Sequence, residues 1–347
     1  MRVPRPRIHV LGLGSIGTFT AHGLKEAPAA PAITLLLHRE SLYNDLLRNN
    51  RQITLRTLEG KTVSHSGYDV EIHKSGRWQA PSSTAASDKI DSLVVTVKAT
   101  QTVTALRALT SRLTPSSTIL FLQNGCGMIE EVNENLFPDP LTRPNYVVGV
   151  ISHGVTLTSP FNATHTGAAS ISLGLVPRAS ARKDNAADVE AKARYMLDTF
   201  PLSARLSASS YAYTDVLQVQ FEKLAVNAFC NPVCALHDAK NAILFTFPDL
   251  RRAILSEIST IVLNLPELRG VQGLEERFSV ARLEHTVNGI LERTRETTCS
   301  MVVDLRNKRK TEVNFINGYW VRRGRELGVS VAVHESLMAQ VLERSAT

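Results

Sequence analysis

A glycine pattern near the start of the chain constrains its fold more than any other feature. Gly12-Leu13-Gly14-Ser15-Ile16-Gly17 follows an apolar run at residues 8–11 and opens a helical pattern that continues through Leu24. In that setting the first glycine makes the tight turn. The second lets backbone approach a pyrophosphate, and the third lets helix and strand pack closely. Phosphate oxygens then accept from N–H groups at the helix N-terminus. The spacing alone also arises in ordinary tight turns. The strand before it and the helix after it turn the pattern into a dinucleotide-binding expectation for Gly12, Leu13, Gly14, Ser15, Ile16 and Gly17.

The rest of the first half fits that expectation. Apolar runs at residues 33–37, 93–97, 118–122, 147–151 and 171–175 alternate with helical stretches, the signature of a parallel sheet covered on both faces. Residues 177–188 read as a polar loop before a helix over 189–199. Beyond about residue 207 helical patterns dominate, at 211–229, 249–265, 278–288 and 314–327. We therefore expect an α/β, Rossmann-type dinucleotide-binding domain over residues 1–206. An all-α domain over residues 207–347 should carry the substrate and the catalysis.

The end of the second strand discriminates between the two nicotinamide cofactors. An acidic residue there binds a ribose 2′-hydroxyl. This chain has Leu37-His38-Arg39, and a guanidinium suits a 2′-phosphate, so NADP(H) is expected, although Glu40 follows directly. Lys98 follows the third strand and Asn124-Gly125 the fourth. Each alone reads as a surface charge or a turn. Their positions beyond strand ends make Lys98 and Asn124 candidate cofactor contacts.

In the helical half, Lys223, Asn227 and Asn231 recur every four residues and share a helix face. Their neighbours Leu224, Ala225, Val226 and Phe229 are apolar, and polar groups in such a setting need a partner or a polar cleft. A stripe that satisfies itself across a helix pair fits the spacing as well as a catalytic face does. Pro232 should end or kink this helix. Farther on, Ser300 is a candidate for holding a carboxylate and Glu312 for orienting a hydroxyl. Glu312 also fits an ordinary first-turn helix acid.

Composition narrows the classes. The chain has 347 residues, 43% hydrophobic and 20% charged, which fits a soluble globular protein of about two domains. Its apolar runs are too short to span a membrane. The net charge is +7, but basic residues are interleaved with acids and the densest run, residues 306–310, is short. No nucleic-acid motif accompanies it. Cys126, Cys230, Cys234 and Cys299 have no metal or redox spacing, and no metal is expected. They fit a reducing compartment, so the expected location is cytoplasmic, with a short mitochondrial signal in the basic N-terminus as the alternative.

Taken together these motifs resemble one family. Residues 12–17, Val97-Lys98-Ala99, Gln123-Asn124-Gly125, Lys223-Leu224-Ala225-Val226-Asn227 with Asn231-Pro232, Ser300-Met301 with Asp304, and Thr311-Glu312 with Ile316-Asn317-Gly318 are similar to those of the ketopantoate (2-dehydropantoate) reductases. The resemblance covers nearly the whole chain in the right order. It implies NADPH-dependent reduction of ketopantoate to (R)-pantoate, in pantothenate biosynthesis. On it, residues 12–17 hold the pyrophosphate, Arg39 the 2′-phosphate, and Lys98 and Asn124 contact the cofactor. Lys223 is the catalytic lysine and general acid. Asn227, Asn231 and Asn241 lie on the substrate side, Ser300 binds the substrate carboxylate, and Glu312 lies near the substrate hydroxyl and the nicotinamide. The small-molecule partner is a 2-oxo acid, with no nucleic acid or membrane. Departures at residues 26–31 and at Val155 leave two alternatives open: a related reductase of another 2-oxo acid, or a non-catalytic NADP-binding regulator. His153 reads as a buried strand-end histidine.

Overall fold

A computed structural model describes residues 6–81, 89–178 and 186–346. Contacts divide the chain into two compact units. Residues 1–123 and 129–216 form the first; residues 124–128 and 217–347 form the second. The division near residue 216 lies ten residues beyond the point where the helical character begins in the sequence. A long helix starts in the first unit and continues through the second.

The first unit carries, in chain order, β1 (Arg7–Leu11), α1 (Ser15–Lys25), β2 (Ala32–Leu37), α2 (Glu40–Arg48), β3 (Ile53–Arg56), β4 (Thr62–His65), β5 (Asp69–Lys74), β6 (Arg77–Gln79), β7 (Ser92–Val95), α3 (Thr102–Arg107), β8 (Thr118–Phe121), α4 (Met128–Asn135), β9 (Asn145–Ile151), β10 (Gly154–Ser159), β11 (Asn162–Gly167), β12 (Ile171–Leu175), α5 (Ala186–Thr199) and β13 (Ala208–Ser210). The main sheet runs β13-β12-β9-β8-β7-β1-β2-β5-β6. From β9 to β5 every neighbouring pair is parallel, with Ile8 opposite Ile33 on one side of β1 and opposite Ser92 on the other. Counted along the chain, these six parallel strands take the 3-2-1-4-5-6 order of doubly wound dinucleotide folds. β1 and β7 flank the point where the order reverses, and there the glycine loop sits.

A second sheet, β10-β11-β3-β4, was not anticipated from the sequence. It packs on α1, which is therefore covered by strands of both sheets. Residues 17–24 of α1 are all buried, Thr18, Thr20 and His22 included. A helix buried all round carries no one-sided apolar stripe. Phe19 and Leu24 join Ile8, Val10, Leu35 and Phe161 in one core.

His153 is buried, as expected. Its Nε2 faces the Leu206 carbonyl at 3.0 Å and its Nδ1 faces His165 Nε2 at 3.1 Å. Because a carbonyl only accepts, Nε2 carries the proton, and desolvation holds the ring neutral. Of the loop expected over residues 177–188, residues 179–185 lie outside the described residues, and α5 begins at Ala186.

The second unit is helical among the described residues: α6 (Tyr213–His237), α7 (Pro248–Asn264), α8 (Leu274–Arg277), α9 (Val280–Arg293), α10 (Ser300–Arg306), α11 (Val313–Leu327) and α12 (Ala332–Ala346). The expected stop at Pro232 does not occur, and α6 runs past it to His237. Proline at 232 removes the N–H that would bond the Ala228 carbonyl. Asn317 of α11, fully buried, supplies the missing donor: its Nδ2 bonds Ala228 O at 2.9 Å. The same amide faces His334 Nδ1 of α12 at 3.2 Å. At the start of α12, Glu257 of α7 accepts the backbone N–H groups of Val333 and His334.

Asn317→Ala strands a buried carbonyl in the middle of α6. It should lower unfolding free energy by about 1–3 kcal/mol, read by urea denaturation.

Candidate active site

The glycine loop is built from both sides. Gly12 has φ +103°, and a Cβ there would lie 2.6 Å from Val97 N. Only glycine fits both the backbone angle and that close approach to the segment after β7. A Cβ on Gly17 would lie 1.9 Å from Gly12 O. Gly14 differs, because a Cβ there would meet nothing within 4 Å. The loop is therefore tight against the sheet and open at its middle glycine. Gly14 caps α1 without any side-chain cap, so first-turn N–H groups face outward beside it. These are the features a pyrophosphate needs, and the residues fit a dinucleotide.

Two side chains hold this cradle, Thr96 and Gln123, and the motif that contains Gln123 does not reveal its role. Thr96 Oγ1 donates to Gly12 O. Gln123 Nε2 donates to Val97 O at 2.6 Å and to Thr102 Oγ1 at 2.8 Å. Both act on backbone carbonyls across loops, and no motif spacing reveals that. Lys98 is half-buried just beyond β7, next to this anchored segment.

Arg39 is exposed at the residue that caps α2, directly after β2. Glu40 forms an ion pair with Lys74 of β5 at 3.9 Å. That pairing draws the neighbouring carboxylate toward another cation and weakens its claim on Arg39.

In the second unit the loop at residues 124–128 is pinned to α11. Gly125 has φ +92°, and a Cβ on it would collide with Phe315 backbone and Cβ at 2.8 Å. Cys126 N donates to Phe315 O at 2.8 Å. This places Asn124 beside α6, where its Oδ1 accepts from Lys223 Nζ at 2.9 Å. Burial lowers the Lys223 ammonium from 10.5 to about 8. The Glu312 carboxylate pulls it back upward, as does Cys126 more weakly. Glu312 is buried at the residue capping α11. A lysine, an asparagine and a glutamate thus meet in one low-dielectric cluster, whose components come from residues 124, 223 and 312.

The other candidates lie on α6, at the start of α10, where Cys299 Sγ contacts the Asn231 carbonyl at 3.8 Å, and before α7. Asn227 and Asn231 continue the Lys223 face of α6; Asn227 is half-buried and Asn231 buried. Ser300 is exposed and opens α10. Asn241 is committed internally. Its Nδ2 donates to Thr294 Oγ1 at 3.0 Å, its Oδ1 accepts from Cys234 Sγ, and its N–H bonds Thr297 O. Within the basic run, Arg306 pairs with Asp238 and Arg309 with Asp304.

A parallel sheet in dinucleotide order, an open glycine cradle and a desolvated lysine on a helical unit define an oxidoreductase of the nicotinamide-dependent class. The ketopantoate reductase PanE/ApbA family model matches residues 8–178, and that family's C-terminal model matches residues 215–345. The chain belongs to the ketopantoate reductase family, whose members use NADPH. It is 29% identical over 345 residues to a Schizosaccharomyces pombe protein called "Probable 2-dehydropantoate 2-reductase", covering 95% of this chain and 94% of that one. Two solved structures share the fold. D-mandelate dehydrogenase, solved with NADH and anilino(oxo)acetate, matches with a TM-score of 0.71 at 20% identity over 98% of both chains. The Bacillus subtilis protein solved as a probable 2-dehydropantoate 2-reductase matches with a TM-score of 0.65 at 24% identity, covering 97% of this chain and 99% of that one. Among the described residues no helix is long and apolar enough to cross a membrane.

The two glycines should fail differently. Gly17→Ala forces backbone apart and should lower the unfolding free energy by about 1–3 kcal/mol. Gly14→Ala should leave the melting temperature near wild type and weaken NADPH binding, read by quenching of intrinsic fluorescence.

Proposed function

We propose that this protein reduces the 2-oxo group of ketopantoate, giving (R)-pantoate, with NADPH held on the first unit. The observation that carries the reading is the half-buried, desolvated Lys223 ammonium, bonded to Asn124 and held up by the charge of Glu312. When bound, the cofactor supplies the hydride.

The protein's own residues manage charge. As the carbonyl becomes an alkoxide, negative charge grows on its oxygen. Lys223 Nζ is the donor that meets it, stabilising the charge and delivering the proton. An ammonium near 8 remains mostly protonated at neutral pH and releases its proton more readily than one at 10.5. Asn124 Oδ1 fixes the direction of one N–H. Glu312 keeps the lysine charged despite burial. Ser300 takes the role of carboxylate binder, and Asn227 and Asn231 that of orienting the oxygens. Asn241, with its amide engaged by Thr294 and Cys234, is the third substrate-side asparagine.

For the cofactor, Arg39 is the 2′-phosphate partner and Lys98 a second cation beside the sheet edge. The four cysteines are thiols and form no disulfide, which supports a reducing compartment, and we place the enzyme in the cytoplasm.

The first test is NADPH consumption with ketopantoate beside NADH and a panel of other 2-oxo acids. Turnover confined to another oxo acid would move the substrate and keep the site. Binding of NADPH without turnover of any would support a regulator instead. Lys223→Ala should cut kcat by about 10²–10³-fold, ~2.7–4 kcal/mol of transition-state stabilisation, with NADPH still bound. In the reduction direction, the wild-type rate should fall as pH rises through about 8, because the proton donor is lost. Arg39→Ala should reduce the preference for NADPH over NADH, as a ratio of kcat/KM, by about 10–100-fold.

A further inference from the structure

A cluster on the far end of α1 plays no part in the chemistry above. His22 lies on α1, Glu26 follows its last residue, and His65 ends β4 in the second sheet. One nitrogen of each histidine and one oxygen of the glutamate lie within 4.8 Å of one another. His22 Nδ1 is 3.6 Å from Glu26 Oε1, and His65 Nε2 is 3.5 Å from the same oxygen. Both nitrogens are buried; His22 Nδ1 lacks a hydrogen-bond partner, and His65 Nε2 faces only the Glu26 carboxylate.

The tautomer of His22 makes this arrangement costly without a cation. Its other nitrogen, Nε2, faces the Val63 carbonyl at 3.1 Å. A carbonyl only accepts, so Nε2 carries the proton and Nδ1 presents a lone pair. That lone pair points at a carboxylate. His22 is fully buried, so no water separates the two groups. Two electron-rich atoms therefore face each other inside the protein. Arg205 stabilises Glu26 from its other side, through Nε to Oε2 at 3.0 Å and Nη2 to Oε1 at 3.1 Å. Carboxylate oxygens have further lone pairs toward the histidines, so this contact also orients Glu26 as a ligand.

We propose that His22 Nδ1, His65 Nε2 and Glu26 Oε1 form a binding site for a divalent cation of the zinc class. Two imidazoles and a carboxylate are a known zinc donor set, and ligands at bond lengths of about 2.0–2.2 Å on a tetrahedron stand roughly 3.3–3.6 Å apart. The two measured edges match that spacing. The Val63 carbonyl is the outer partner that fixes the ring of a metal-bound histidine. Bound there, the ion ties the C-terminal end of α1 to β4.

Cobalt(II) tests the site by its colour. Tag-free protein, stripped with a chelator, should take up about one equivalent of Co²⁺ with the strong visible absorption of a tetrahedral nitrogen and oxygen site. His65 is partly exposed, so His65→Ala should fold and lose that absorption, and Glu26→Gln should weaken it. Zn²⁺ should raise the melting temperature of the wild type and not of His65→Ala. Three results would overturn the proposal: no tetrahedral absorption, full absorption in both variants, or a thiolate-to-cobalt band showing that cysteines hold the ion.

Discussion

The bond from Asn317 to the Ala228 carbonyl is the contact on which the helical unit turns. Pro232 sits in the interior of α6, where it removes a backbone donor and would ordinarily end the helix. A break there would turn Asn231 away from Lys223 and Asn227, and the shared polar face would be lost. Asn317 supplies the donor from α11, and its second N–H faces His334 of α12. One fully buried amide therefore keeps α6 continuous and ties it to two other helices. An apolar residue at 317 would fill the space but could not supply the donor.

The continuity of α6 matters because of what its face carries. Lys223 is desolvated, and desolvation alone favours the neutral amine. Two neighbours oppose this in different ways. Asn124 gives a directed hydrogen bond without charge, and Glu312 gives charge from the cap of α11. The result is an ammonium brought down to about 8, still mostly charged at neutral pH. Asn124 reaches this position because Gly125 adopts a positive φ and Cys126 bonds Phe315. The loop that follows β8 thus serves the second unit, although its sequence neighbours build the first.

The legible parts of the sequence were those where one local pattern sufficed. The apolar runs gave the parallel strands because such strands are buried on both faces. The glycine loop was legible because its strand and helix adjoin it. The four-residue spacing placed Lys223, Asn227 and Asn231 on one face. The second sheet was not legible. Its strands β4 and β10 are short and largely polar, and β3 pairs in parallel with β11, more than a hundred residues away. That α6 continues past Pro232 was not legible for a related reason, since the compensation comes from a residue 85 positions later. Asn241 is placed on the substrate side by resemblance alone, and its bonds to Thr294 and Cys234 are contacts its spacing could not indicate. Thr96 and Gln123 carried no signal because each acts on a carbonyl across a loop.

Helix α1 shows why the cradle can be firm without a cap. Its N-terminal turn must stay open for phosphate, so no side chain satisfies those N–H groups. Stability has to come from elsewhere along the helix. It comes from enclosure: residues 17–24 are buried between strands of two sheets, and Gly17 allows contact as close as backbone permits. Enclosure has its own cost, because it buries Thr18, Thr20 and His22 with the apolar side chains. Thr18 returns a weak bond to the Leu13 carbonyl, and His22 one to Val63. The second sheet, absent from the local pattern of the sequence, is thus what permits an uncapped helix to present a fixed anion site. The glycine loop supplies the shape of that site, and the sheet packed on α1 supplies its rigidity.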